Sequence, residues 1–63
     1  MKNNFIEIED CCGNDIYINV NNICAVEQIP EENIRILYLS DGVRYEVNES
    51  YNLIKQKIYE AGL

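Results

Sequence analysis

The chain has 63 residues, eleven acidic and five basic side chains, no histidine and a net charge of −6. One domain fits that length, and a chain so short buries only about 60% of the surface it exposes when unfolded, which makes self-association or a partner an expected source of further burial. The charge has the wrong sign for direct nucleic-acid binding and for an anionic membrane surface, both of which are recognised through lysine and arginine.

The first predicted element covers residues 4–9. Phe5-Ile6-Glu7-Ile8-Glu9 alternates apolar and acidic side chains, the period of a half-buried strand. Ile6 and Ile8 point inward, and Phe5 shares the wet side with Glu7 and Glu9. Asp10-Cys11-Cys12-Gly13-Asn14 is a turn, with Gly13 or Asn14 suited to positive φ. A second strand over residues 15–20 buries Ile16, Ile18 and Val20, and pairs with the first as a hairpin.

Asn21-Asn22 breaks the pattern. Residues 23–29 form a third strand whose inner face the sequence leaves open. Pro30-Glu31-Glu32-Asn33 is a polar turn with proline in its favoured first central position. Strands over 33–40 and 43–47 flank Asp41-Gly42, a pair that favours a two-residue type I′ hairpin. That register opposes Tyr38 to Tyr45 and Ile36 to Val47. It puts Ile34, Ile36, Tyr38, Val43, Tyr45 and Val47 on the core face, and Arg35, Leu37, Leu39, Arg44 and Glu46 on the other.

A helix over residues 49–61 ends the chain. Asn48 or Ser50 can cap it, and Glu49 suits its positive end. Tyr51, Ile54, Ile58 and Ala61 recur at helical spacing as one apolar stripe, and Gly62 stops the helix. The expected fold class is α+β: about five short antiparallel strands in a twisted or curled sheet, followed by one C-terminal helix.

Little in the chain suggests catalysis. Ser40 and Ser50 have no histidine base, and no glycine-rich phosphate loop is present. Three cysteines without histidine fall short of the four ligands of a structural zinc site. No metal, no other cofactor, no small-molecule substrate and no enzymatic activity are therefore expected. Cys11 and Cys12 are candidates for a redox pair, although Glu9, Asp10 and Asp15 give them an electronegative setting that opposes reactivity. Tyr17 and Tyr59 lie off the apolar faces. Leu37 and Leu39, with Phe5 and Tyr17, are the candidate interaction face, since apolar side chains on an otherwise polar face seek a partner. No apolar run reaches the length of a membrane span, and the first residues lack the apolar centre of a signal peptide, so a cytoplasmic location is expected.

Gly13-x-x-Ile16-Tyr17-Ile18-Asn19, Ile23-x-x-Val26-Glu27-x-Ile29-Pro30 and Ile36-x-Tyr38-Leu39-x-Asp41-Gly42-x-x-Tyr45-x-Val47-x-Glu49-Ser50, followed by Ile54 and Ile58, together resemble the FlbD/SwrD-like small proteins of bacterial flagellar operons. The resemblance spans most of the chain. The Cys11-Cys12 pair, the Pro-Glu-Glu-Asn turn and the aspartate of Asp41-Gly42 depart from that pattern. It implies a strand-rich body and a non-catalytic role in motility, with no active site to carry over. The Tyr-containing strand, serine and helix at the end also look like the tail of LytTR-type DNA-binding domains, which are longer and basic. Two other readings stand beside an interaction module: an acidic inhibitor or nucleic-acid mimic from a phage or mobile element, and a cysteine-based redox switch.

Overall fold

Alternating isoleucine and glutamate produce β1 (Phe5–Glu9), which pairs antiparallel with β2 (Asp15–Asn19), Ile6 opposite Ile18 and Ile8 opposite Ile16. The computed structural model describes residues 4–62. After β2 come a 3-10 turn (Val20–Asn22), β3 (Ile23–Ile29), a second 3-10 turn (Pro30–Glu32), β4 (Ile34–Leu39), β5 (Arg44–Val47) and α1 (Tyr51–Ala61). The α+β class is as expected: β1 and β2 form one sheet, β3-β4-β5 another, and the helix follows. Asn19 Oδ1 accepts from the Asn21 N–H at 2.9 Å and closes the first 3-10 turn, ending β2 one residue early. Asn33 adopts the left-handed conformation (φ 55°) that turns the chain back into β4.

The two sheets meet at one bridge, Asp10 opposite Val47. Cys11 N–H donates to Glu46 O and Asn48 N–H to Glu9 O, each at 3.0 Å. The bridge sets β1 beside β5, yet β2 and β3 at the far edges are joined by three residues. Four residue steps reach at most about 14 Å, whereas a flat five-stranded sheet separates its edge strands by roughly 19 Å. The sheets therefore curl towards one another. Ile6, Ile8, Ile18, Leu37, Val47 and Ile54 are buried between them and the helix.

The second hairpin departs from the expected register, and the consequence reaches every side chain of β4. Leu39 N–H donates to Val43 O at 2.8 Å and Gly42 N–H to Leu39 O at 3.1 Å. Ser40, Asp41 and Gly42 thus make a three-residue loop, a turn closed by Gly42 at φ +90°. The first hairpin uses the same form: Asp10 N–H donates to Asn14 O at 2.9 Å, Gly13 N–H to Asp10 O at 3.1 Å, and Gly13 has φ +87°. One extra loop residue opposes Leu37 to Tyr45 and Arg35 to Val47. A slip of one residue exchanges the two faces of a strand. Leu37 and Leu39 accordingly face the core with Tyr45 and Val47, while Ile34, Ile36 and Tyr38 project from the opposite face.

In β3, Cys24 is the additional residue of a bulge between Ile23 and Ala25. The bulge lets both Ile23, opposite Leu39, and Val26, opposite Leu37, reach the core although they are three residues apart. Ser50 is the helix N-cap, its Oγ accepting from Leu53 N–H at 3.2 Å. Of the expected stripe, Ile54 is buried, and Ile58 and Ala61 pack against the core. Glu49 lies outside the helix.

Candidate functional site

Leu37 is fully buried and Leu39 packs against the core, so the pair expected to head the interaction face is structural. The cause is the loop length described above. The same exchange brings a different set of side chains to the outer face of β3-β4-β5. Along the central strand β4 run Ile34, Ile36 and Tyr38. On β3, Ile29 stands opposite Ile34, Glu27 opposite Ile36 and Ala25 opposite Tyr38. On β5, Glu46 stands opposite Ile36 and Arg44 opposite Tyr38. Ile29, Ile34, Ile36 and Tyr38 are half-buried, and none of them joins the core cluster. Ile34, Ile36 and Tyr38 form an apolar ridge on β4, joined by Ile29 of β3 at one end, with a carboxylate on either side of its middle.

Tyr38 ties that ridge to its flank. Its hydroxyl donates to Glu27 Oε1 at 2.6 Å. The hydrogen bond to Glu27 raises the phenol above its ordinary range, desolvation and the Glu27 charge add to it, and Arg44 opposes it. Glu31 and Glu32 continue the acidic border in the turn that follows Ile29.

Phe5 and Tyr17 do lie at the surface, as expected. Their rings stack at 4.8 Å between centroids on the outer face of the β1-β2 sheet, with Tyr17 opposite Glu7. Register explains the contact: Phe5 pairs with Asn19, which makes Tyr17 its diagonal neighbour, within reach of an aromatic ring. Tyr17 is 62% exposed.

A polar knot fastens the elements behind these faces. Glu49 Oε2 accepts from Glu9 N–H at 3.0 Å, and its Oε1 meets Lys57 Nζ at 2.6 Å. Oε1 is sealed from water and makes no well-aligned hydrogen bond, so Lys57 holds it by charge. Lys57 Nζ also donates to Glu7 O at 2.7 Å. Arg35 donates to the carbonyls of Asn33, Asn48 and Glu49 and to Asn33 Oδ1, pinning the segment before the helix. These groups are consumed by structure, and their geometry offers no spare acid, base or nucleophile.

Cys11 and Cys12 occupy the two central positions of the first hairpin turn, both exposed, and Cys24 is exposed in its bulge. The Cys11 thiol is raised above its ordinary value by desolvation, then by the Cys12 thiol that hydrogen-bonds to it, and then by the charges of Glu46 and Asp10. That setting keeps it protonated and slow as a nucleophile. Asp10 is lowered, chiefly by the Asn14 N–H at 2.8 Å, with the Asn14 side chain and Cys12 N–H adding to it against some desolvation. Among the described residues no group of three Cys, Asp or Glu is placed to hold a metal ion, and no helix is long and apolar enough to cross a membrane. The carboxylates are spread along the chain: Glu7 and Glu9 on β1, Asp10 after it, Asp15 on β2, Glu27 and Glu46 on the second sheet, Glu31 and Glu32 in the second 3-10 turn, Asp41 in a turn, Glu49 before the helix and Glu60 on it. The chain matches no family model, no curated protein and no solved structure.

Proposed function

We propose that this chain is a small, non-catalytic protein-interaction module, and that its contact surface is the outer face of β3-β4-β5. The observation that carries the reading is the ridge of Ile29, Ile34, Ile36 and Tyr38, half-buried and outside the core cluster. A domain of this size has little apolar surface to spare, and a contiguous apolar patch marks a contact surface. The dispersal of the carboxylates counts against a nucleic-acid mimic, which needs its charges in one stripe. The raised Cys11 thiol counts against a redox switch. The resemblance to flagellar-operon proteins supplies a setting, accessory to motility, which a swimming assay on a deletion strain addresses.

The test is photo-crosslinking in the cells that make the protein. A benzophenone amino acid at position 36 should give a defined protein adduct. The same group at position 59, where Tyr59 is 69% exposed on the helix, should not. Identical adducts from both positions, or none from position 36, would remove the proposal.

A further inference from the structure

The outer face of β3-β4-β5 has dimensions and a charge layout that select one kind of occupant. From Ile34 to Tyr38 the ridge runs about 13 Å of strand. Two turns of α-helix rise about 11 Å. Side chains at i, i+4 and i+7 of a helix can therefore lie over Ile34, Ile36 and Tyr38 in turn. Glu27 and Glu46 stand one strand to each side of Ile36, about 10 Å apart across two strand spacings. A helix with its side chains is about 10–12 Å wide. One lying along β4 would have a carboxylate beneath each flank.

We infer that this face receives a basic amphipathic helix of a partner protein, its apolar stripe on Ile34, Ile36 and Tyr38 and its flanking lysines or arginines on Glu27 and Glu46. The inference rests on the interaction reading above and names its partner's chemistry. The Tyr38 hydroxyl holds Glu27 Oε1 towards the ridge at 2.6 Å, which fixes one of the two acceptors in advance. A second copy of the chain fits the face poorly. Each copy carries a net charge of −6, and Glu27, Glu46 and the neighbouring Glu31 and Glu32 outnumber Arg44 around the ridge. Two such faces would bring like charges together. The ends of the face differ as well. Glu31 and Glu32 follow Ile29 at the Ile34 end, and Arg44 stands beside Tyr38 at the other. The positive N-terminus of a docked helix belongs at the former and its negative C-terminus at the latter.

The experiment titrates the full chain with a synthetic leucine-lysine peptide of amphipathic helical pattern, and with a scrambled peptide of the same composition, read by amide NMR shifts and calorimetry. The amphipathic peptide should bind, weaken with added salt, become helical when bound, and shift Glu27, Ile36 and Glu46 ahead of residues on α1. Ile36→Asp should weaken it about tenfold or more, the loss typical of a central contact. The E27K/E46K double variant, which leaves the ridge intact, should do the same and lose the salt dependence. Equal binding of the scrambled peptide, a bound peptide that is extended and shifts the β3 edge alone, or indifference to both variants would overturn the inference. A concentration-dependent dimer that Ile36→Asp dissolves would overturn it too, while leaving the interaction face itself in place. If neither peptide nor self-association responds to Ile36→Asp, the face and its occupant fall together.

Discussion

Leu37→Ala and Ile36→Ala differ by one position in β4 and should differ several-fold in cost. Leu37 has no exposed surface and sits between Val26 and Tyr45 on the core face. Truncating a buried leucine removes its transfer free energy and leaves a cavity, a loss of about 2–5 kcal/mol. A 63-residue chain has about 3–9 kcal/mol of stability in total at ordinary per-residue values. Leu37→Ala should therefore consume from about a quarter to all of it. Ile36 lies on the outer face, between Glu27 and Glu46, and is half-buried. Its truncation costs strand propensity and a little burial, under about 1 kcal/mol.

Urea unfolding followed by circular dichroism measures both. With a slope near 1 kcal/mol per molar for a domain this small, Leu37→Ala should lower the midpoint by about 2–5 M or leave no folded baseline. Ile36→Ala should move it by less than about 1 M. A two-residue loop at Asp41-Gly42 reverses the order, because it puts Ile36 in the core and Leu37 in water. Equal losses, or a larger loss at Ile36, would refute the three-residue loop and every face assignment derived from it. The titration is run at several protein concentrations, since association through the outer face would make the Ile36→Ala cost depend on concentration.

Two further predictions concern the polar groups. Glu49→Ala strips the Glu9 N–H and Lys57 Nζ of a shared acceptor and should cost about 1–3 kcal/mol by the same urea assay, against under about 0.5 kcal/mol for Glu60→Ala on the exposed side of the helix. Asp10 has a folded-state carboxyl lowered from 3.8. Its stabilising share is present above that value and is lost as pH falls through the folded one. Asp10→Ala should be less stable at neutral pH and should flatten the loss of stability below pH 3.8, a comparison that thermal melts across the acid range decide.

Where local chemistry settles structure, the sequence was legible. The alternation in β1 identified Ile6 and Ile8 as core, the β3 limits were met at both ends, and Ile54, Ile58 and Ala61 of the helical stripe pack as expected, while Tyr51, its fourth member, stays outside the core cluster. What failed was a choice between two loops that the same residues permit. Asp-Gly fills the centre of a two-residue turn, and Ser-Asp-Gly fills a three-residue one with glycine at its left-handed end. The dipeptide signal cannot count the loop, so the competing burial of Leu37 against Ile36 decides the register. In β3 the bulge at Cys24 breaks the period of two between Ile23 and Val26, which is why neither face stood out. The knot of Glu49, Lys57, Glu7 and Glu9 joins residues up to 50 apart in sequence, and no local pattern signals it. Glu49 stands one residue before the N-cap Ser50 and accepts from Glu9 N–H and pairs with Lys57 instead of lying in the first turn.

The register also decides which apolar set stays outside the core. A strand with apolar or aromatic side chains at five of its six positions must hide one set and show the other, and β4 reads Ile-Arg-Ile-Leu-Tyr-Leu. Hiding Leu37 and Leu39 aligns them with Val26, Tyr45 and Val47, and leaves Arg35 at the rim of the core, where its guanidinium reaches the two carbonyls before the helix, those of Asn48 and Glu49. The opposite register would send Arg35 to the outer face and leave those carbonyls without their donor. One arginine thus discriminates between two packings that apolar content alone treats as nearly equal. Its hydrogen bonds favour the packing in which the second apolar set, Ile34, Ile36 and Tyr38, remains outside between two glutamates. The apolar ridge is therefore a consequence of how the core was satisfied, and the same register places Glu27 and Glu46 on either side of Ile36.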